Sequence, residues 1–249
     1  MEVAPTVHYH MGGIKVNPET NETNVKGVFA AGEVASGVHG ANRLGGNSLA
    51  DILVFGRRTG ISCSKYILKI NKKTNNKISK TMQIQINNEI KRIYSYLKSN
   101  SKKLKRNKKI NKKILIYELL DSLKVTMNNN VEIIKNKEGL TKALNKVYEI
   151  RKILKTKDSK INGTTLYNRG LFARLELENE LIIAECIIKS AIKRKESRGT
   201  HFRTDFPKKL KKWKKNIICK KQNNSLKLTT IPINKLPKHL LFVGIEKYD

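Results

Sequence analysis

Residues 39–60 read HGANRLGGNSLADILVFGRRTG. Two glycines, an asparagine and a serine stand directly before an apolar run with helical spacing. Backbone amides at a helix N-terminus point outward, and the helix dipole adds partial positive charge there. A glycine-rich loop feeding such an end is therefore an anion site in outline, and glycine lets a flat ligand come close to the backbone. Asn47 and Ser48 add side-chain donors. Arg43, just upstream, supplies a planar fork suited to a carboxylate. His8, in Thr6-Val7-His8-Tyr9, is a second candidate carboxylate partner. Together these residues fit an anionic small molecule lying beside a ring that gains negative charge. Each also has a structural reading: GGxS before a helix is an ordinary cap and turn, and a histidine near a Gly-Gly pair serves packing.

Working outward, GVFAAGEVA (residues 27–35) reads as a short buried strand that runs into a turn at Gly32, and Lys15-Val16 as a brief extended piece. Residues 48–67 read as a helix with Ser48 as its N-cap and Asp51 in its first turn. From residue 84 onward the pattern is mainly helical, with amphipathic candidates at 91–98 and 112–126. Leu140, Leu144, Val147, Ile150 and Leu154 fall on one helical face, and residues 166–197 form the strongest helix. RGTHFRTDFP (198–207) reads as a polar loop, and SLKLTTIPINKL (225–236) alternates as a strand does.

Lys+Arg of 52 against Asp+Glu of 20 gives a net charge of +32 over 249 residues. Such a charge points toward nucleic acid or an anionic surface. The excess sits in residues 65–113, 135–160 and 208–221, interleaved with Asn and Ile and nearly without aromatics. Stacking platforms and arginine forks for bases are missing there, so the lysines read as a solvated surface and nucleic acid as an unlikely partner. Cys63, Cys186 and Cys219 are odd in number and lack CxxC spacing. This predicts no disulfide framework, no metal site and a reducing, cytoplasmic setting. MEVAPTVHYH has neither a basic nor an apolar leader region, and no apolar run reaches membrane-span length.

The motifs HYHMGGI, GVFAAGE and HGANRLGGNSLADILVFGRRTG, taken in order, resemble those of fumarate reductase and succinate dehydrogenase flavoprotein subunits. LENELIIAECIIKSAIKRKESRGTHFRTDFP resembles the helical-domain motif of the same superfamily, with its ESRG-x-H-x-R-x-D-x-P signature. L-aspartate oxidase shares the superfamily. Met11 and ANRLGGNSL favour the fumarate/succinate branch, including the archaeal thiol-linked fumarate reductases, where aspartate oxidases carry a cysteine and ANRMASNSL.

The resemblance implies a fold and a set of roles. The fold is an α/β fragment, namely the end of a capping domain plus the last strand and helix of an FAD-binding Rossmann-like domain, followed by a mainly helical C-terminal domain. The implied divisions are residues 1–24 (end of the capping domain), 25–70 (FAD-binding part) and 71–249 (helical domain with an extended tail). His8 and Arg43 would hold the carboxylates of a C4 dicarboxylate, fumarate or succinate. Glu33 would bind the FAD ribose, and Asn47, Ser48 and Leu49 would meet the flavin at the helix start.

The strand–GxGxxG–helix unit for the FAD pyrophosphate does not occur in this sequence. The capping-domain arginine that donates the proton is expected upstream, so no catalytic residue is assigned here. FAD would bind only with an N-terminal flavoprotein half, and an iron-sulfur subunit would be the electron-transfer partner, with membrane contact only through partner subunits. A split gene, a pseudogene remnant and a miscalled start all fit. The alternatives are an aspartate oxidase relative and a basic nucleic-acid-binding protein built on a decayed flavoprotein piece.

Overall fold

A computed structural model of the protein describes residues 8–71, 79–97, 116–156, 161, 165–223 and 225–233. Among these residues there are five α-helices and two two-stranded sheets. The chain divides into two compact units, Met1–Leu97 with Arg198–His201, and Lys98–Ser197 with Phe202–Asp249.

The first unit is a set of tight loops followed by two helices. Isolated bridges pair Ile14 with Ala35, Val16 with Thr23 and Glu22 with Phe29. The expected strand in GVFAAGEVA is therefore reduced to bridges at Phe29 and Ala35. A strand needs a continuous ladder with a neighbour, and among the described residues only these single bridges pair the stretch. The chain does turn at Gly32, at φ +74, where an added Cβ would meet Ile52 Cγ2 at 3.0 Å. A 3-10 turn over Gly32–Val34 follows.

Helix α1 spans Asn47–Asn71. It starts a residue earlier than the sequence suggested, because the Gly45-Gly46 turn closes first: Asn47 N–H donates to Leu44 O and Leu49 N–H to Gly46 O, both at 3.2 Å. Ser48 thus lies inside the first turn instead of capping it, and Asp51 falls in the second. Asp51 is also the one buried residue of α1 among those described, while Leu49 and Leu53 are 65% and 72% exposed. Helix α2, Lys80–Ser95, is capped by Ser79, whose Oγ accepts from Met82 N at 3.2 Å, and buries none of its residues. It begins well before the expected 91–98 segment, of which residue 98 lies outside the described residues.

The second unit is built on helices α3 (Ile116–Val131), α4 (Lys137–Leu154) and α5 (Arg169–Lys193). Residues 112–115 of the expected 112–126 helix lie outside the described residues. Asn136 Oδ1 caps α4 on Gly139 N at 2.8 Å, and Asn168 Oδ1 caps α5 on Leu171 N at 3.0 Å; each cap satisfies an amide that has no carbonyl partner in its own helix. Leu140, Val147, Ile150, Leu177, Leu181 and Ile188 are buried in one core with Leu119, Leu120 and Leu123. Burying each such side chain contributes ~1.5–3 kcal/mol.

Strand β1, Ile134–Lys135, pairs in parallel with β2, Phe202–Arg203, so the expected polar loop at 198–207 contains a strand. Lys135 is buried here, and that burial, with Arg203 nearby, pulls its amine down to about 8. Strand β4, Ser225–Pro232, meets the tail expectation in its described part; residues 234–236 lie outside the described residues. It pairs antiparallel with β3, Lys215–Gln222, which the lysine-rich pattern KNIICKKQ concealed. Asn223 turns this hairpin at φ 47, a conformation asparagine tolerates.

The ESRG segment ties the second unit together at the end of α5. Glu196 is fully buried and accepts from Arg194 Nη1 at 2.7 Å and Leu210 N at 2.8 Å. Arg203 grips Asp205 with two bonds of 2.7 and 2.6 Å and donates to Ala191 O at 2.6 Å. Asp205 also accepts from Lys137 N, the first amide of α4, at 3.1 Å.

Candidate functional site

In the first unit, the loop before α1 folds back on the segment after residue 7, and this fold-back builds the site. Arg43 Nη2 lies 3.0 Å from His8 Nε2, and Nη1 donates to Leu44 O at 3.2 Å. The Arg43 guanidinium carbon sits 4.5 Å from the centre of the Tyr9 ring. The two residues assigned to carboxylate binding from the sequence are thus hydrogen-bonded neighbours, 35 positions apart in the chain. Arg43 Nε is buried without a partner, and no carboxylate pairs with Arg43 among the described residues. A guanidinium placed this way offers donors and charge to a bound anion.

Glu33 stands on the 3-10 turn. Its Oε1 accepts from His10 N at 2.8 Å, and the side chain is exposed. Asn47 and Leu49 are exposed and Ser48 is half-buried at the start of α1, where Leu49 N–H is turned toward Gly46 O. Gly45 and Gly46 have nothing within 4 Å of an added Cβ, so the approach to this helix end is open.

Three residues escaped the sequence reading. Tyr9 Oη lies 2.9 Å from His39 Nε2 and donates to Asp51 Oδ2 at 3.3 Å, and His39 Nε2 lies 3.1 Å from the same carboxylate oxygen. The His39 and Asp51 side chains are only 4% and 3% exposed. Burial, reinforced by Asp51, raises the Tyr9 hydroxyl above its ordinary pKa. The signal available in the sequence was Asp51 itself, a lone acid within an apolar helix run. Placed in the first helical turn by the sequence, it instead sits in the second and anchors this triad.

The Arg198–His201 turn supports the loop that carries Arg43. Thr200 N–H and Oγ1 reach Ala41 O at 3.2 and 3.4 Å. Gly199 adopts φ +56, and an added Cβ would sit 2.2 Å from Ala41 O. Backbone cannot yield as a flexible side chain can. Gly199→Ala will therefore destabilise the first unit by at least ~1–2 kcal/mol from the left-handed backbone alone, and more from the clash. Thermal denaturation of the variant checks this; an unchanged midpoint contradicts it.

A family model described as "Fumarate reductase flavoprotein C-term" matches residues 120–240, and one described as "FAD binding domain" matches residues 1–49. A fumarate reductase (CoM/CoB) polypeptide of Methanothermobacter marburgensis is 38% identical over 222 residues, covering 89% of this chain and 37% of that protein. The chain belongs to the fumarate reductase and succinate dehydrogenase flavoprotein family. The succinate dehydrogenase flavoprotein subunit of Rickettsia conorii is 35% identical over 216 residues, covering 82% of this chain and 33% of its own. Among solved structures, the apo Sdh1 complex of Mycobacterium smegmatis superposes with a TM-score of 0.79 at 31% identity, covering all of this chain and 41% of the other. The chain thus spans little more than a third of the relatives it matches. Among the described residues no cluster of His, Cys, Asp or Glu could hold a metal ion, and no helix is long and apolar enough to cross a membrane.

Proposed function

We propose that this chain supplies the dicarboxylate clamp and the flavin-facing helix end of an FAD-dependent flavoprotein that interconverts fumarate and succinate. The observation that carries the reading is the Arg43–His8 pair: a guanidinium without a protein carboxylate, hydrogen-bonded to an imidazole, next to an open helix N-terminus.

The residues present fit part of FAD. The positive end of α1 and the open Gly45-Gly46 backbone suit the pyrimidine edge, and the exposed Glu33 carboxylate suits ribose hydroxyls. Bound flavin would supply the hydride. Arg43 and His8 would hold and orient the substrate carboxylates. Drawing carboxylate charge toward Arg43 also stabilises the negative charge that builds on the substrate carbon as hydride arrives. The α1 N-terminus favours the charge left at the flavin N1 edge on reduction.

In this reading the pyrophosphate cradle and the proton-donating arginine come from an N-terminal flavoprotein segment, and an iron-sulfur subunit delivers electrons. The exposed apolar residues of α1, Leu49, Ile52, Leu53 and Val54, support packing against such a segment. Residues 1–24 and 25–70 then correspond to the end of a capping domain and part of the FAD-binding domain, and residues 71–249 to the helical domain.

The chain purified alone is expected to carry no flavin. Co-expressed with an N-terminal segment of a relative, it is expected to yield a yellow complex near one flavin per chain, read from absorbance. Stoichiometric flavin in the chain alone, or a colourless complex, counts against the proposal.

A further inference from the structure

We propose that Tyr9, fixed by His39 and Asp51, is a positioning residue that sets the plane of the Arg43 guanidinium for carboxylate capture. The inference rests on the reading that Arg43 binds the substrate carboxylate. It adds three residues for which that reading has no role.

Little within the described residues fixes the plane of Arg43. Its contacts within the protein are weak in direction: one carbonyl at 3.2 Å, one imidazole nitrogen at 3.0 Å, and an Nε with none. A guanidinium usually takes its plane from a carboxylate fork, and among the described residues no carboxylate is present to do so. What lies beneath it is the face of Tyr9, 4.5 Å from the guanidinium carbon. An aromatic face attracts a cation and fixes it parallel or tilted to the ring. The orientation of Arg43 is therefore only as good as the orientation of the ring.

The ring is held at its far end. Asp51 Oδ2 accepts from the Tyr9 hydroxyl at 3.3 Å, and His39 Nε2 sits 3.1 Å from that oxygen and 2.9 Å from the hydroxyl. One proton arrangement satisfies all three contacts. Tyr9 O–H donates to Asp51, and His39 carries hydrogen on Nε2, shared between the carboxylate and the phenol oxygen. In the neutral ring this leaves Nδ1, buried without a partner, as a bare acceptor instead of a stranded donor. His39 also packs edge-on to Tyr9, at 5.3 Å and 78° between ring planes. Asp51 is rooted in α1 and His39 in the loop, so the triangle transmits the position of α1 to the Arg43 guanidinium. Burying the polar side chains of His39 and Asp51 is costly unless they are satisfied. The placement of the Tyr9–His39–Asp51 triangle under the Arg43 guanidinium, which has no carboxylate partner among the described residues, gives it a use.

The test combines two measurements. In the full chain, the Arg43 Nε–H resonance should be dispersed in a 15N spectrum, stay so in Tyr9→Phe, and collapse toward the free-arginine position in Tyr9→Leu. In the complex of the full chain with an N-terminal segment of a relative, succinate should bind about tenfold more weakly in Tyr9→Leu, between the size of an exposed and of a desolvated cation–π contact. Tyr9→Phe and Asp51→Asn, which keep the ring but loosen its anchor, should weaken it about threefold. If Tyr9→Leu does not fold, the decision passes to these two milder variants. Arg43→Ala separates the layers. Undiminished succinate affinity in Arg43→Ala sinks the underlying reading. Loss of affinity in Arg43→Ala, with wild-type succinate affinity in the Tyr9 and Asp51 variants, overturns the positioning role alone.

Discussion

Arg43→Ala in the flavin-loaded complex is expected to lower kcat/KM for fumarate at least ~30-fold while flavin content stays unchanged. Removing one partner of a desolvated charge pair costs ~2–5 kcal/mol, and every 1.4 kcal/mol is about tenfold. Flavin should stay because the residues proposed to meet it, Glu33 and the first turn of α1, do not depend on the Arg43 side chain: Glu33 is held by His10 N and the helix start by its own backbone bonds. Arg43→Lys keeps the charge but cannot lie flat on Tyr9 while also reaching His8 and Leu44 as the guanidinium does. It should fall between wild type and alanine. His8→Ala should cost less than Arg43→Ala, since an imidazole gives one hydrogen bond to a carboxylate where the fork gives two. Steady-state fumarate reduction with an artificial donor, with flavin measured for each variant, reads all three. Near-normal turnover in Arg43→Ala with flavin retained removes Arg43 from the substrate site.

The second large effect belongs to stability. Arg203→Leu should destabilise the second unit by ~3 kcal/mol, the lower end for breaking a buried ion pair, and lower the thermal midpoint by on the order of 10 °C. Arg203 is 1% exposed and binds Asp205 twice, and it also satisfies Ala191 O at the end of α5. Leucine leaves that carbonyl without its donor and frees Asp205, which links the start of α4 to the same network. The figure stays at the lower end because the Asp205 side chain is 30% exposed and can be hydrated.

The pH dependence has a definite sign. The Arg203 hydrogen bonds, helped by Lys137 N, hold the Asp205 carboxyl below its ordinary pKa. A depressed folded-state pKa means that this contribution is fully present above the unfolded value, about 3.9, and fades as pH falls through the folded one. The wild type and Arg203→Leu should therefore differ most near neutral pH and converge in acid below the ordinary aspartate range. In the flavin-loaded complex, changes at Glu196, Arg203 and Asp205 should lower the melting temperature more than they raise the substrate KM. The reverse pattern contradicts an architectural role for this network.

The three-helix core was readable because period alone carries it: Leu140, Val147, Ile150 and Leu154 recur on one face and are buried on that face. The hairpin strand β3 was not, because KNIICKKQ alternates poorly and its partner fixes it only through tertiary pairing. The strand expected at GVFAAGEVA shows the opposite error. Its apolar run suits burial, yet the described residues pair it only through isolated bridges, which make no continuous ladder. At the candidate site, Arg43 and His8 stood out in the sequence as a fork and an imidazole flanking glycines, and the structure sets them 3.0 Å apart. The Tyr9–His39–Asp51 triangle did not stand out, since it joins common residues separated by 30, 42 and 12 positions. Burial was hidden at Arg203, which sits in a polar loop by sequence, and at Glu196, which the sequence reading set at the end of the long helix; both are almost wholly buried.

The central claim is that this chain brings a working dicarboxylate clamp to a flavin. It is tested most directly by reducing the flavin of the assembled complex anaerobically and adding fumarate. The account predicts prompt return of the oxidised flavin spectrum with one succinate formed per flavin, and a response slowed at least ~30-fold in Arg43→Ala. A flavin that stays reduced on adding fumarate, in a complex that holds it stoichiometrically, would contradict the account.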